Sequence, residues 1–353
     1  MKQVYKFLSV TIVLLLNTFT LRAQVSQFHP GVTANGVTYA LPKTVLKIQA
    51  EALRVEYKPG EFSKYAERFL HIQNVSQEAS ERYAVQQIRM IAIGEPDTNK
   101  VFTVAYNAKS TAPLVQLSPQ GVLLSINSEE KVEIPELPKP KLVHTQNALD
   151  AKRYLTEEIL SATSNVKMAE LTAAEIYDLR ENRNALLRGE AENQPVDGEA
   201  LRLRLLGLQQ QENALLQMFL GYTDTISVSH VYTVKPEDVQ KDCVLFRFSE
   251  HYGFVDSDDL AGEPFILRVK DQHSVPLPTE KELQKRKLAG LVYNLPGKAK
   301  IQIQGKGIEW LNMDIPIAQF GTDDQLSKDL FTKGTSTQVT FSPSSGGILH
   351  ISK

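Results

Sequence analysis

Ser164 and Lys167 stand three residues apart in Ser164-Asn165-Val166-Lys167. That spacing puts a nucleophilic hydroxyl and a lysine base on one helical turn, as in penicillin-recognising enzymes. The Lys-Thr-Gly and Ser-Asp-Asn motifs that accompany such a pair are absent from the chain, and Ser164 reads instead as a residue at a helix end. Seven histidines, His29, His71, His144, His230, His251, His273 and His350, are spread so that no two lie within five residues, which leaves no local metal motif. Asp256-Ser257-Asp258-Asp259 has oxygen ligands at a density that suits calcium. It lacks the glycine and the distant glutamate of the twelve-residue loop, and reads as an acidic turn. Ser342 to Gly347 lacks the Gly-x-Ser-x-Gly order of a hydrolase elbow and reads as a hairpin turn. The carboxylates are dispersed, so they name no glycosidase pair. No catalytic, cofactor-binding or metal-ligating residue is assigned.

One charged group has a second reading. Arg180, Glu181, Arg183 and Glu212 fall on two helical segments, where they form either a patch for a protein partner or ordinary ion pairs on a solvated face.

The elements that carry these residues follow from periodicity. Over Thr44–Tyr57, Leu46, Ile48, Ala50 and Ala52 share one face at period two, which predicts a long half-buried strand. Lys58-Pro59-Gly60 breaks it, and Phe62, Tyr65, Ala66 and Phe69 then fall at helical spacing. Strands are expected over Val85–Ile93 and Val101–Tyr106, separated by a turn at Gly94-Glu95-Pro96-Asp97, and a hairpin around Ser118–Gly121. Ile134–Lys141 holds three prolines and reads as an extended spacer.

Beyond the spacer the period becomes helical. A helix is expected over roughly Ala148–Ser161, another with a capping box at Thr172–Glu175 and a stop at Gly189, and a third from near Asp197 to Gly221. The third carries a stripe of Leu201, Leu205, Leu208, Leu215 and Phe219, interrupted by Glu212. The last two helices should form an antiparallel hairpin. From Ile226 strands return, over Ile226–Val234, Val244–Phe248, Phe265–Lys270, Lys298–Gln304 and Ile308–Ile317, with a closing hairpin.

The two β regions resemble each other. Gly36-Val37-Thr38-Tyr39-Ala40-Leu41-Pro42 returns as Gly290-Leu291-Val292-Tyr293-Asn294-Leu295-Pro296, and Leu117–Ile126 returns in the same order as Phe341–Ile351. A fainter echo relates Leu326–Phe331 to Phe62–Tyr65. Internal duplication with diverged middles is the expectation.

At the N-terminus, Lys2 and Lys6 precede the apolar run Phe7–Leu16, and Leu21-Arg22-Ala23 precedes Gln24, the layout of a secretory leader cut before Gln24. The run is about half the roughly 20 residues needed to span a bilayer, and no later segment is long or apolar enough. Loss of the leader leaves 36 basic against 41 acidic side chains, a net charge of about −5, which disfavours a nucleic-acid partner. The single cysteine, Cys243, lies in an apolar stretch and excludes an internal disulfide as well as a lipid-bearing cysteine after the leader.

Gly36–Ile48 with Pro59-Gly60-Glu61-Phe62, Ile176–Arg183 with Leu186–Glu190, and Ile317–Gly321 with Phe341-Ser342-Pro343 resemble a family of exported Bacteroidota proteins known as the domain of unknown function numbered 4831. The resemblance covers nearly the whole chain after the leader. It implies a bacterial cell-envelope setting and brings no activity, ligand or catalytic residue. In that setting Asp224-Thr225-Ile226 resembles the short Asp-Thr-aliphatic sequence used for O-glycosylation, which would require an exposed loop after the last helix.

The expected fold is α+β: two related β-rich units, sandwich or barrel-like, with an inserted α-helical hairpin. The expected division is a leader at 1–23, a first β-rich domain at 24–133, a Pro-rich linker at 134–141, a helical region at 142–225 and a second β-rich domain at 226–353. The leading functional reading is a periplasmic or outer-surface binding or assembly protein, non-enzymatic, with an envelope protein docked on the helical hairpin and a glycan admitted as ligand. That reading rests on fold-level association. The alternative is an envelope hydrolase acting on glycan or peptide.

Overall fold

A computed structural model describes residues 30–33, 36–105, 115–140, 144–145, 147–191, 197–239, 242–276, 278–279, 282, 290–327 and 337–352. The expected leader at 1–23, His29, and the Leu326–Phe331 echo beyond Ser327 lie outside the described residues.

The fold is α+β and rich in strand. In chain order it runs β1 (Gly31–Thr33), β2 (Gly36–Lys58), a 3-10 turn (Ser63–Tyr65) leading into α1 (Ala66–Leu70), β3 (Ser80–Ala105), β4 (Val115–Leu117), β5 (Leu123–Ile126) and β6 (His144–Thr145). A 3-10 turn (Ala151–Tyr154), α2 (Glu157–Leu160), α3 (Asn165–Arg188) and α4 (Gly198–Leu220) form the helical part. The chain ends with β7 (Tyr222–Val234), β8 (Asp242–Ser249), β9 (Gly253–Val255), β10 (Glu263–Asp271), β11 (Leu291–Gly305), β12 (Ile308–Leu326), β13 (Gln338–Phe341) and β14 (Ile348–Ser352).

Among the described residues three antiparallel sheets result. In the first, β3 runs the length of β2, which also takes β1 and β7, with β6 beyond β7. The second has the order β12-β11-β10-β8-β9 and the third β14-β13-β5-β4. The alternation read over Thr44–Tyr57 places Leu46, Ile48, Ala50 and Ala52 against Phe246, Phe248, Phe265, Leu267, Ile301 and Ile303 of the second sheet. This is the period-two burial of two facing sheets. A second cluster joins Val37, Tyr39 and Leu41 to Leu123, Ile126, Leu291, Val292, Val339 and Phe341, so the third sheet closes the ends of both long hairpins.

The repetition seen in the sequence recurs in the pairing. β4–β5 pairs Val115 with Ile126, Gln116 with Ser125 and Leu117 with Leu123 across a register shift. β13–β14 pairs the corresponding Val339 with Ile351, Thr340 with His350 and Phe341 with Ile348 across the same shift. Ala40 N donates to Gly121 O at 3.0 Å, and its counterpart Asn294 N donates to Gly346 O at 3.2 Å. Gly121 and Gly346 both take positive φ, 86° and 70°, which the turn requires and a side chain would resist. Both long hairpins kink one position apart: β2–β3 shifts register between Ala40 and Pro42, β11–β12 between Leu295 and Gly297.

Several local expectations change. Gly94–Asp97 is no turn between two strands but an irregularity inside the continuous β3, opposite the kink at Pro42. A Cβ at Gly94 would come within 2.0 Å of Pro343 O, so the terminal turn packs into the position of a hairpin loop. The strand over 226–234, expected to open the second β unit, pairs with β2 from Lys58 to Leu46. The chain leaving α4 turns at Gly221, whose φ is +70° and whose Cβ would lie 2.2 Å from Lys58 O, and so is delivered straight to the open side of β2. The α3 helix starts at Asn165, capped by Ser164, while Thr172 of the expected capping box is buried in mid-helix and donates to Met168 O at 2.8 Å. The helix expected over 148–161 is a 3-10 turn followed by the single-turn α2, capped by Thr156.

Tyr39 joins the two repeats directly. Its hydroxyl donates to Val292 O and accepts from Val292 N–H, both at 2.9 Å. Burial raises its pKa well above the usual 10.0. The raised value favours the protonated, folded form, so this stability is present below about pH 10 and declines as pH rises beyond it. In an alkaline titration followed by tyrosinate absorbance and circular dichroism, the Tyr39 signal should appear only as the β spectrum is lost, and Tyr39→Phe should remove that delayed step. Ionisation of Tyr39 near pH 10 in an intact fold would sink the prediction.

Candidate functional site

The helical hairpin stands on the end of the first sheet. Phe62, Ala66 and Leu70, following the break at the end of β2, pack against Ala169, Ala173, Ile176, Leu179, Leu215, Met218 and Phe219. Asp197 caps the start of α4 and Gly189 ends α3 in the left-handed conformation, so α4 begins and α3 stops where the capping residues predict. Burial is concentrated in the half nearest the sheets, and past Leu179 the only buried residue of α3 is Leu186. The distal half therefore projects.

Between the two halves lies the charged group read from the sequence. Glu212 occupies an apolar position and is buried; Arg180 Nε donates to its Oε1 at 2.6 Å and Arg183 Nη1 to its Oε2. Arg183 Nη1 also donates to Gln209 Oε1 at 2.9 Å, and the Arg180 guanidinium lies over the Tyr177 ring. Glu181 takes no part and instead receives Arg188, which Glu190 also holds. Residues 180 and 183 share a helix face and 181 is turned about 100° away, so the four charges divide into a buried clasp and an exposed chain. The group is an internal clasp between the helices.

Surface features surround it. Along α4 a groove of about 350 Å³ lies between Leu149, Asp150, Arg153 and Tyr154 on one wall and Gln210 and Asn213 on the other. It continues as a hollow of about 460 Å³ past Gln217 and Leu220. Gln217 anchors its wall, accepting from Leu149 N at 2.8 Å and donating to Asn147 O at 2.6 Å. Towards the tip, Leu187, Leu203 and Leu206 are exposed by 63, 55 and 46 %. The signal for Leu203 and Leu206 lay in their phase, off the stripe of Leu201, Leu205 and Leu208. A wider hollow of about 620 Å³ lies by the β11–β12 turn, where Glu309 is held by Gln302 and Asn312.

The other sequence candidates do not converge. Ser164 accepts from Lys167 N as a helix cap, and Lys167 Nζ pairs with Glu170. His71 ends α1, His230 packs its ring on Phe254, His273 pairs with Asp271, and among the described residues no group of three or more His, Cys, Asp or Glu side chains is placed to hold a metal. Asp256–Asp259 is a turn pinned by Arg247, which donates to Ser257 O and Gly262 O, both at 3.0 Å. Ser342–Gly347 is the hairpin turn, with Ser342 N donating to Gly347 O at 2.7 Å. Asp224-Thr225-Ile226 lies within β7 rather than a loop, and Asp224 is buried, accepting from Asn147 N at 2.8 Å. Cys243 is half-buried in β8. The Tyr232 hydroxyl is pushed up to about 12, chiefly by burial, its ring stacked on Phe246 in the core.

The model of the domain of unknown function DUF4831 matches residues 35–349, and the chain belongs to that family. No curated protein and no solved structure matches it. Among the described residues no helix is long and apolar enough to cross a membrane.

Proposed function

We propose that this member of the DUF4831 family is an exported cell-envelope protein that binds or assembles with another envelope protein through its helical hairpin. The observation that carries the reading is the exposed pair Leu203 and Leu206 on the projecting half of α4, in helical phase with Gln210 and Asn213 of the groove along that helix. Water-exposed leucines grouped on a projecting element gain free energy when a partner covers them. The sequence layout of the leader supports export.

Burying a leucine contributes about 1.5–3 kcal/mol, so losing Leu203 and Leu206 from a contact weakens it by at least about a hundredfold. The test places a photo-crosslinking side chain at position 210 of the tagged full chain in its native envelope. Reproducible crosslinks to one envelope protein, lost when Leu203→Glu and Leu206→Glu are introduced, are the expected result. Recovery of the chain in the cytosolic fraction with Met1 retained, or crosslinks unaffected by the two glutamates, would remove the reading.

A further inference from the structure

The two copies of the short hairpin meet different surroundings in one sheet. β5 pairs with β4 inside its own hairpin, and its other edge pairs with β13, Ile126 with Val339 and Ser125 with Thr340. β14 is the counterpart of β5 in the second hairpin, paired with β13 in matching register. Its other edge is the end of the sheet order and pairs with nothing among the described residues. The side chains of the two strands differ in exposure as well. Leu124 and Ile126 are 6 and 0 % exposed, whereas the corresponding Leu349 and Ile351 are 63 and 52 % exposed. These residues are unchanged in type between the copies, although one pair is in the core and the other faces water.

An exposed edge strand carrying aliphatic side chains, without a proline or lysine within β14 to block it, is a template for another strand. The chain itself supplies a strand that fits. The edge of β5 accepts β13, and β13 corresponds to β4, which ends the same sheet on its far side. A second copy of the chain therefore offers, on its β4, the element that the counterpart edge already binds.

We propose that copies of this chain associate head to tail, β4 of one pairing antiparallel with β14 of the next. The contact repeats the β5–β13 register, so Val115 of the second copy lies opposite Ile351 and Gln116 opposite His350. Strand directions alternate correctly through the order β4-β5-β13-β14 and on into the next β4. The two surfaces differ, so the contact is heterologous and continues beyond a dimer unless the rotation closes a ring. It is separate from the helical hairpin, and each proposal stands or falls alone.

Within one chain β14 and β4 are three strand spacings apart, about 14 Å, beyond the Cα separation of roughly 4–7 Å that a disulfide spans. Two full-length chains, both carrying Cys243→Ser, one with Val115→Cys and the other with Ile351→Cys, are mixed under a thiol–disulfide buffer. The expected result is a disulfide-linked species containing one of each. Sedimentation of the unmodified full chain should show mass rising with concentration above the monomer. Leu349→Lys and Ile351→Lys together should abolish every species above the monomer while leaving the circular dichroism spectrum intact. Should that variant misfold, the cysteine mixture still decides. A monomer at all concentrations with no mixed disulfide overturns the proposal, and so does a predominance of 351–351 dimers, which would mean that β14 pairs with itself.

Discussion

Replacing Arg180 and Arg183 together with alanine is expected to destabilise the helical hairpin by about 3 kcal/mol, the lower end of what breaking a buried ion pair costs. The physical reason is the carboxylate left behind. Glu212 is buried between α3 and α4, and the two guanidiniums are its charged partners. Without them it must stay desolvated and unpaired at a position the helices otherwise fill with apolar side chains. The arginines are themselves about one-third exposed, which places the expectation at the lower end. Urea unfolding followed by helical circular dichroism, with amide exchange over α3 and α4, measures it. The companion variant Arg180→Leu, Arg183→Leu, Glu212→Leu should recover most of the loss, because an apolar set of similar volume removes the charge and its partners together. A double variant as stable as the unmodified chain would show that Glu212 reaches water more readily than its burial suggests.

Asn294→Leu should be the most damaging single substitution at the crossing of the two repeats, by about 2–6 kcal/mol. Asn294 Nδ2 donates to Pro42 O and to Ser345 O, both at 2.9 Å, in a buried setting. Pro42 lies at the kink of β2 and Ser345 in the turn between β13 and β14, so one amide ties the first long hairpin to the last short one. Leucine has similar size but no donor, and each carbonyl left dry costs about 1–3 kcal/mol. The denaturant midpoint of the β signal reads the effect. A midpoint within error of the parent chain would mean that both carbonyls find other donors. Thr44 works beside it: its hydroxyl donates to Ser344 O and accepts from Ala318 N, both at 3.0 Å, while Gln319 bonds its backbone on both sides. These polar groups are buried because irregular backbone meets there from three sheets, and each kink leaves carbonyls and N–H groups outside the ladders.

The candidate surface was partly legible beforehand. Glu212 interrupts an otherwise apolar stripe, and a carboxylate there must meet a cation from the facing helix. Arg180 and Arg183 were the cations in phase, and helix geometry alone separates Glu181 from them. The exposed Leu203 and Leu206 could be found only as leucines off the main stripe, and nothing local says whether a third helix covers them. Thr172–Glu175 illustrates the opposite error. Its spacing matches a capping box, but a helix end is set by where hydrogen bonding stops, and Ser164 already satisfies the free N–H of Lys167 one turn into a longer helix.

What the amino-acid sequence determined by itself was periodic or local: the strand face of Leu46 to Ala52, the limits of α4 at Asp197 and Gly221, the turns at Ser118 and Ser342, and the repetition of two landmarks in order. Each rests on interactions between residues a few positions apart, or on residue types that repeat. The tertiary structure alone decided which strands become neighbours. β7 joins β2 because Gly221 returns the chain to that side, and Gly94–Asp97 stays within a strand because the turn at Pro343, far along the chain, packs against it. The same dependence separates Leu124 from Leu349. The two leucines occupy equivalent positions in equivalent hairpins, but β5 lies inside its sheet between β4 and β13 whereas β14 lies at the sheet's end, and one leucine is core while the other stands in water.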